Sequence, residues 1–126
     1  MSLLGTLGLW SLALGAVSGW LVAASVEKPE LLKKLGIKHP GRVRQTHLDW
    51  IMMGLILLVL DVAADDVPDW IVGLIAFGTV VNPLLFVPLA YDSDASKGLV
   101  YRAITVVSFA ALSVGLTALA VQQTLL

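Results

Sequence analysis

Apolar residues fall into four long runs, at about 3–26, 43–64, 70–91 and 99–121, separated by three short polar stretches. No run alternates apolar and polar residues with a period of two, so the pattern predicts helices rather than the strands of a membrane barrel. Each run is close to the roughly 20 residues that cross a hydrocarbon core of about 30 Å. A helix satisfies its own backbone polar groups in lipid, so the expected fold is all-α: a single four-helix transmembrane bundle. The first run lacks a charged start, its apolar part is too long for a cleaved leader, and it carries Trp10 and Trp20; a retained span is expected.

The polar stretches set the topology. Lys28, Lys33, Lys34, Lys38, Arg42 and Arg44 lie between or just inside runs one and two, and Lys97 and Arg102 follow run three; these are all 8 basic residues. Four spans put both groups on one side. The stretch between runs two and three, with Asp61, Asp65, Asp66 and Asp69, is purely acidic. The positive-inside rule then predicts a multi-pass protein of the cell (inner) membrane, with basic loops cytoplasmic and both termini outside. In the first loop, Leu31, Leu32 and Leu35 with Lys33, Lys34 and Lys38 fit either a short interfacial helix ended by Gly36 and His39-Pro40 or a solvated connector. Ser93 or Ser96 is the expected N-cap of the fourth span.

Composition agrees, with 58% hydrophobic and only 13% charged residues, a balance that leaves the bilayer as the main partner. The basic loops are ordinary membrane topology and give no evidence for nucleic-acid binding. There is no cysteine, so disulfides and thiolate metal ligation are excluded. Small residues line run one (Gly5, Gly8, Ser11, Gly15, Ser18, Gly19) and run four (Ala103, Ala110 or Ala111, Ser113 or Gly115, Ala118). Such stripes let helices approach closely, within a subunit or between subunits, and an oligomer is expected.

Candidate chemistry is confined to a few polar residues at or within the spans. His47 is the only histidine in an apolar segment, whereas His39 lies in the charged loop. An ionisable residue at this depth is a functional candidate. No second histidine or carboxylate stands four residues away, a poor pattern for a protein-only zinc site. A lone imidazole suits haem, whose porphyrin supplies the other ligands; the competing reading is an interfacial histidine bonded to a carbonyl or a headgroup. Arg44, Trp50 and Met53 are near enough in sequence to help hold a cofactor. Asn82, ahead of Pro83 and one turn after Thr79, is either a catalytic amide or helix–helix glue. Asp49 is expected to pair with Arg42, Arg44 or Arg102 at the rim. Tyr91 and Tyr101 are expected in the interfacial aromatic belt.

Thr46-His47-Leu48-Asp49, followed by an apolar span, an acidic turn and Gly78-Thr79-Val80-Val81-Asn82, resembles the hydroxylaminobenzene mutase and styrene oxide isomerase family of small four-span membrane enzymes. The mutase branch has a similar His-Leu-Glu at the start of its second span and Gly-Thr-x-x-Asn in its third. The resemblance covers most of the chain through short motifs. It implies haem b bound through His47, a homotrimer with haem near subunit interfaces, and a ferric Lewis acid acting on the oxygen of a small apolar substrate. In the isomerase branch that substrate is an epoxide, and hydride migration gives an aldehyde; in the mutase branch an aryl hydroxylamine becomes an aminophenol. Met53, Gly78 and Phe86 stand where the isomerase branch has asparagine, aspartate and tyrosine, which makes epoxide chemistry less secure than haem binding. The rival classes are a non-catalytic membrane scaffold or permease-like protein, and a haem electron carrier.

Overall fold

A computed structural model describes residues 2–126, of which 86% are helical and none lies in a strand. Helices α1 (Leu3–Glu27), α2 (Pro29–Lys34), α3 (Pro40–Ala63), α4 (Asp69–Leu84), α5 (Phe86–Tyr91) and α6 (Leu99–Thr124) follow in order, with a 3-10 turn at Ser93–Lys97 before α6. Four segments are long and apolar enough to cross a membrane: α1, α3, α4 with α5, and α6.

The helices pack as two antiparallel pairs, α1 with α3 and α4 with α6, joined through α3 against α4 and α5. The small-residue stripes make both pairs. A Cβ at Gly15 would lie 2.7 Å from Ile51 Cγ1, and one at Gly54 would lie 2.9 Å from the Gly8 carbonyl oxygen. On the other seam, a Cβ at Gly78 would meet Leu112 Cβ at 2.6 Å, and one at Gly115 would meet Ile75 Cγ1 at 2.8 Å. These stripes are therefore used within the subunit and supply no separate argument for an oligomer. Ala111 and Gly115 of the expected α6 stripe are buried, while Ala103, Ala110 and Ser113 face outward.

Two apolar clusters close the ends. Leu4, Leu57, Ile71, Ile75 and Leu119 form one at the acidic end; Leu32, Ile37, Val43 and Ala90 form the other at the basic end. The amides of Lys38 and His39 both donate to the Ala90 carbonyl, at 2.8 and 3.0 Å, which ties the first loop to the end of the third span. All the basic residues thus gather at one end of the bundle.

The short helix α2 forms where the Leu-Lys pattern places it. Gly36 ends it at φ +81°, with Ile37 N donating to Leu32 O at 2.9 Å and Gly36 N to Lys33 O at 3.1 Å, a Schellman closure. Leu32 and Ile37, the flanking pair, are both buried.

Three expectations change. α3 starts at Pro40 rather than 43, because proline at the first helical position loses no hydrogen bond. The third span is broken at Leu85: Pro83 and Pro88 remove two donors, and the Leu85 amide is left between Val81 O at 3.1 Å and Asn82 O at 3.2 Å. Neither Ser93 nor Ser96 caps α6; its N-cap is Gly98, and the Asp92 side chain instead caps the preceding 3-10 turn by accepting from Asp94 N at 2.9 Å.

Candidate functional site

His47 lies on the α1 side of α3 and is half-buried. Its Nδ1 is 2.6 Å from the Gly15 carbonyl oxygen. The same carbonyl accepts the Ser18 hydroxyl at 3.0 Å, and Ser18 Oγ stands 3.4 Å from Nδ1. A carbonyl oxygen only accepts, so Nδ1 is the protonated nitrogen. In the neutral ring the lone pair then sits on Nε2. That atom has no hydrogen-bond partner among the described residues and is not enclosed.

Gly19 completes the seat. A Cβ there would be 3.1 Å from His47 Cε1 and 3.5 Å from Nδ1, so any larger residue would crowd the ring. Gly15, Ser18 and Gly19 had the look of packing residues in the sequence. Their spacing of three and four does place them on one helix face, but only the antiparallel register brings that face to His47.

The other proposed cofactor residues divide. Arg44 is exposed one turn toward the basic end, and Trp50 is half-buried one turn the other way, beside a cavity of ≈ 150 Å³ that Ser18, Thr46 and Tyr91 also line. Met53 is 6% exposed and sits inside the bundle, rotated away from the His47 face. Among the described residues no three His, Cys, Asp or Glu side chains come together as a metal-binding group.

Asn82 belongs to a different place. It is 7% exposed, and its Oδ1 accepts the Ser108 hydroxyl from α6 at 2.6 Å. Thr79, its neighbour on that face, bonds back to the Ile75 carbonyl at 2.7 Å. Asn82 also lines a cavity of ≈ 200 Å³ with Asp49, Phe86, Tyr101 and Phe109; His47 is not among its walls. Two residues along a helix are about 200° apart, so His47 and Asp49 point to opposite sides of α3. Within one chain the imidazole and the amide do not share a site.

Asp49 does not make the expected ion pair. The only ion pair among the described residues is Lys97–Asp94, at 3.0 Å. Arg42 bonds Gln45 at 2.8 Å, Arg102 bonds the Ser96 carbonyl at 3.3 Å, and Arg44 faces outward. Tyr101 is also more than a belt residue, since its hydroxyl donates to the Leu85 carbonyl at the break in the third span. Ser108 is wholly buried, and in the sequence a serine in an apolar run carries no sign of its partner.

Gly78 answers one departure from the resembled family. With Leu112 N and Ser108 O both 3.0 Å from a Cβ at this position, α6 backbone occupies the space an aspartate would need. Comparison with protein-family models, curated proteins and solved structures finds no match to this chain, so the likeness rests on the motif residues themselves.

Proposed function

We propose that the chain is a membrane-embedded isomerase or mutase that would hold haem b through His47 Nε2. The observation that carries this reading is the 2.6 Å bond from Nδ1 to the Gly15 carbonyl. A metal-ligating imidazole must present the lone pair of one nitrogen in a fixed direction, and a bond from the other nitrogen's N–H to a backbone carbonyl fixes both the tautomer and the ring. The lone imidazole, with no companion protein ligands grouped around it, fits a porphyrin iron better than a protein-only site.

Haem held there would supply ferric Lewis-acid chemistry for the oxygen of a small apolar substrate, an epoxide or an aryl hydroxylamine. The chain's own part is to hold and shield. Gly15 and Ser18 fix the ring, and Gly19 leaves it room. Arg44 offers a cation to carboxylates of the porphyrin, and Trp50 an apolar flank. Asn82, held by Ser108 on another seam, acts in this reading on helix packing and not on an oxygen at His47 of its own chain. The homotrimer follows from the family resemblance, and the cytoplasmic placement of the basic end from its eight cations.

The same bond supports a second reading, in which the histidine only pins α1 to α3 in a non-catalytic scaffold. The visible spectrum of the purified protein separates these readings. A Soret band with a five-coordinate ferric signature supports the enzyme; a six-coordinate low-spin spectrum identifies an electron carrier; the absence of haem after expression with haem supply leaves the scaffold.

A further inference from the structure

Asp49 is a carboxylate on α3 that no contact in the fold explains. It is half-buried, it lies within a membrane-spanning helix, and it has neither a hydrogen bond nor an ion pair among the described residues. A carboxylate without a partner in a membrane span marks a functional position. The cavity beside it, ≈ 200 Å³ between α3, α4 and α6, is walled by three aromatic rings, Phe86, Tyr101 and Phe109.

A second polar group faces the same space. Asn82 is 7% exposed and lines the cavity; Ser108 occupies its Oδ1, while its Nδ2 has no partner and is not enclosed. The Ser108 hydroxyl can donate to the amide oxygen or accept from the amide nitrogen. The amide can therefore turn either its NH2 or its oxygen toward a ligand.

We propose that this cavity is a binding site for a small lipophilic amine, held as its ammonium by Asp49 and seated among the rings of Phe86, Tyr101 and Phe109. Three features select that chemistry. An ammonium provides the missing counter-charge. Aromatic faces attract cations, most strongly where water is excluded. The volume is below the roughly 300 Å³ at which drug-sized pockets begin, so a single-ring molecule fits and a polycyclic one does not. Metal binding is not supported, because no further ligating side chains join Asp49. The site is independent of haem at His47, which faces the other side of α3.

The test uses 4-fluorobenzylamine and its neutral counterpart 4-fluorobenzyl alcohol. Each is titrated by fluorine NMR into the full chain in phosphatidylcholine nanodiscs, with empty nanodiscs subtracted. The wild type should bind the amine about tenfold or more tighter than the alcohol, the scale of one charge-assisted contact. Asp49→Asn, which keeps the shape, should bring the two ligands to similar affinity and retain alcohol binding. Equal binding of amine and alcohol by the wild type overturns the proposal, as does an amine preference that survives in Asp49→Asn. No saturable binding of either probe removes the site altogether, and none of these results depends on haem content.

Discussion

Replacing Gly78 with alanine adds one carbon where the α4–α6 seam has no room. The new Cβ would stand 2.6 Å from Leu112 Cβ and 3.0 Å from Leu112 N and Ser108 O. Carbon atoms rest about 3.5–4.0 Å apart, so α6 must retreat by about 1 Å. Two of the three atoms are backbone and cannot swing aside. A retreat of that size would carry the Ser108–Asn82 bond, 2.6 Å in the structure, beyond hydrogen-bond range. Overpacking costs about 1–3 kcal/mol and a lost interhelical bond in a membrane about 0.6. Alanine's better helix propensity returns about 1. The net loss should be about 2 kcal/mol. Gly73 is the control: it lies in the same helix with nothing within 4 Å of its Cβ position, so Gly73→Ala should hold or raise stability by up to about 1 kcal/mol. Unfolding in mixed micelles by increasing dodecyl sulfate, followed by tryptophan fluorescence, measures both. Gly78→Ala as stable as the wild type would refute the packing on which the bundle is built.

Ser108→Ala should destabilise by about 1 kcal/mol in the same assay, since it leaves a buried Asn82 oxygen unpaired; no change would mean that water or another group replaces the hydroxyl. Single cysteines at Lys33 and Ser96 should react with an impermeant thiol reagent only from the cytoplasmic side, and one at Asp66 only from outside. Labelling at residue 33 in intact cells would reverse the assigned orientation.

The spans were legible because lipid imposes a composition that shows in every turn of a helix. Their ends were less so: Gly98 rather than a serine caps α6, and the break at Leu85 depends on two prolines acting together. His47 stands out in the sequence as one imidazole in an apolar run. The Gly15 carbonyl that holds it could not, since a backbone atom leaves no mark in sequence and only the α1–α3 register selects it. Asp49 shows the opposite failure. Charge complementarity suggested an arginine partner, but the three candidates turn to Gln45, to the Ser96 carbonyl and outward. Asp49 instead lines a cavity.

In the proposed function His47 would hold haem through the nitrogen that Gly15 leaves free. Haem content and the Soret band of His47→Ala, compared with His39→Ala and the wild type in the same preparation, put this to the test. His47→Ala should lose the band while circular dichroism reports the same helical fold, and His39→Ala should keep it, because that residue lies in the loop ahead of α3. A His47→Ala protein with full haem content and an unchanged spectrum would contradict the assignment, and the Lewis-acid mechanism with it.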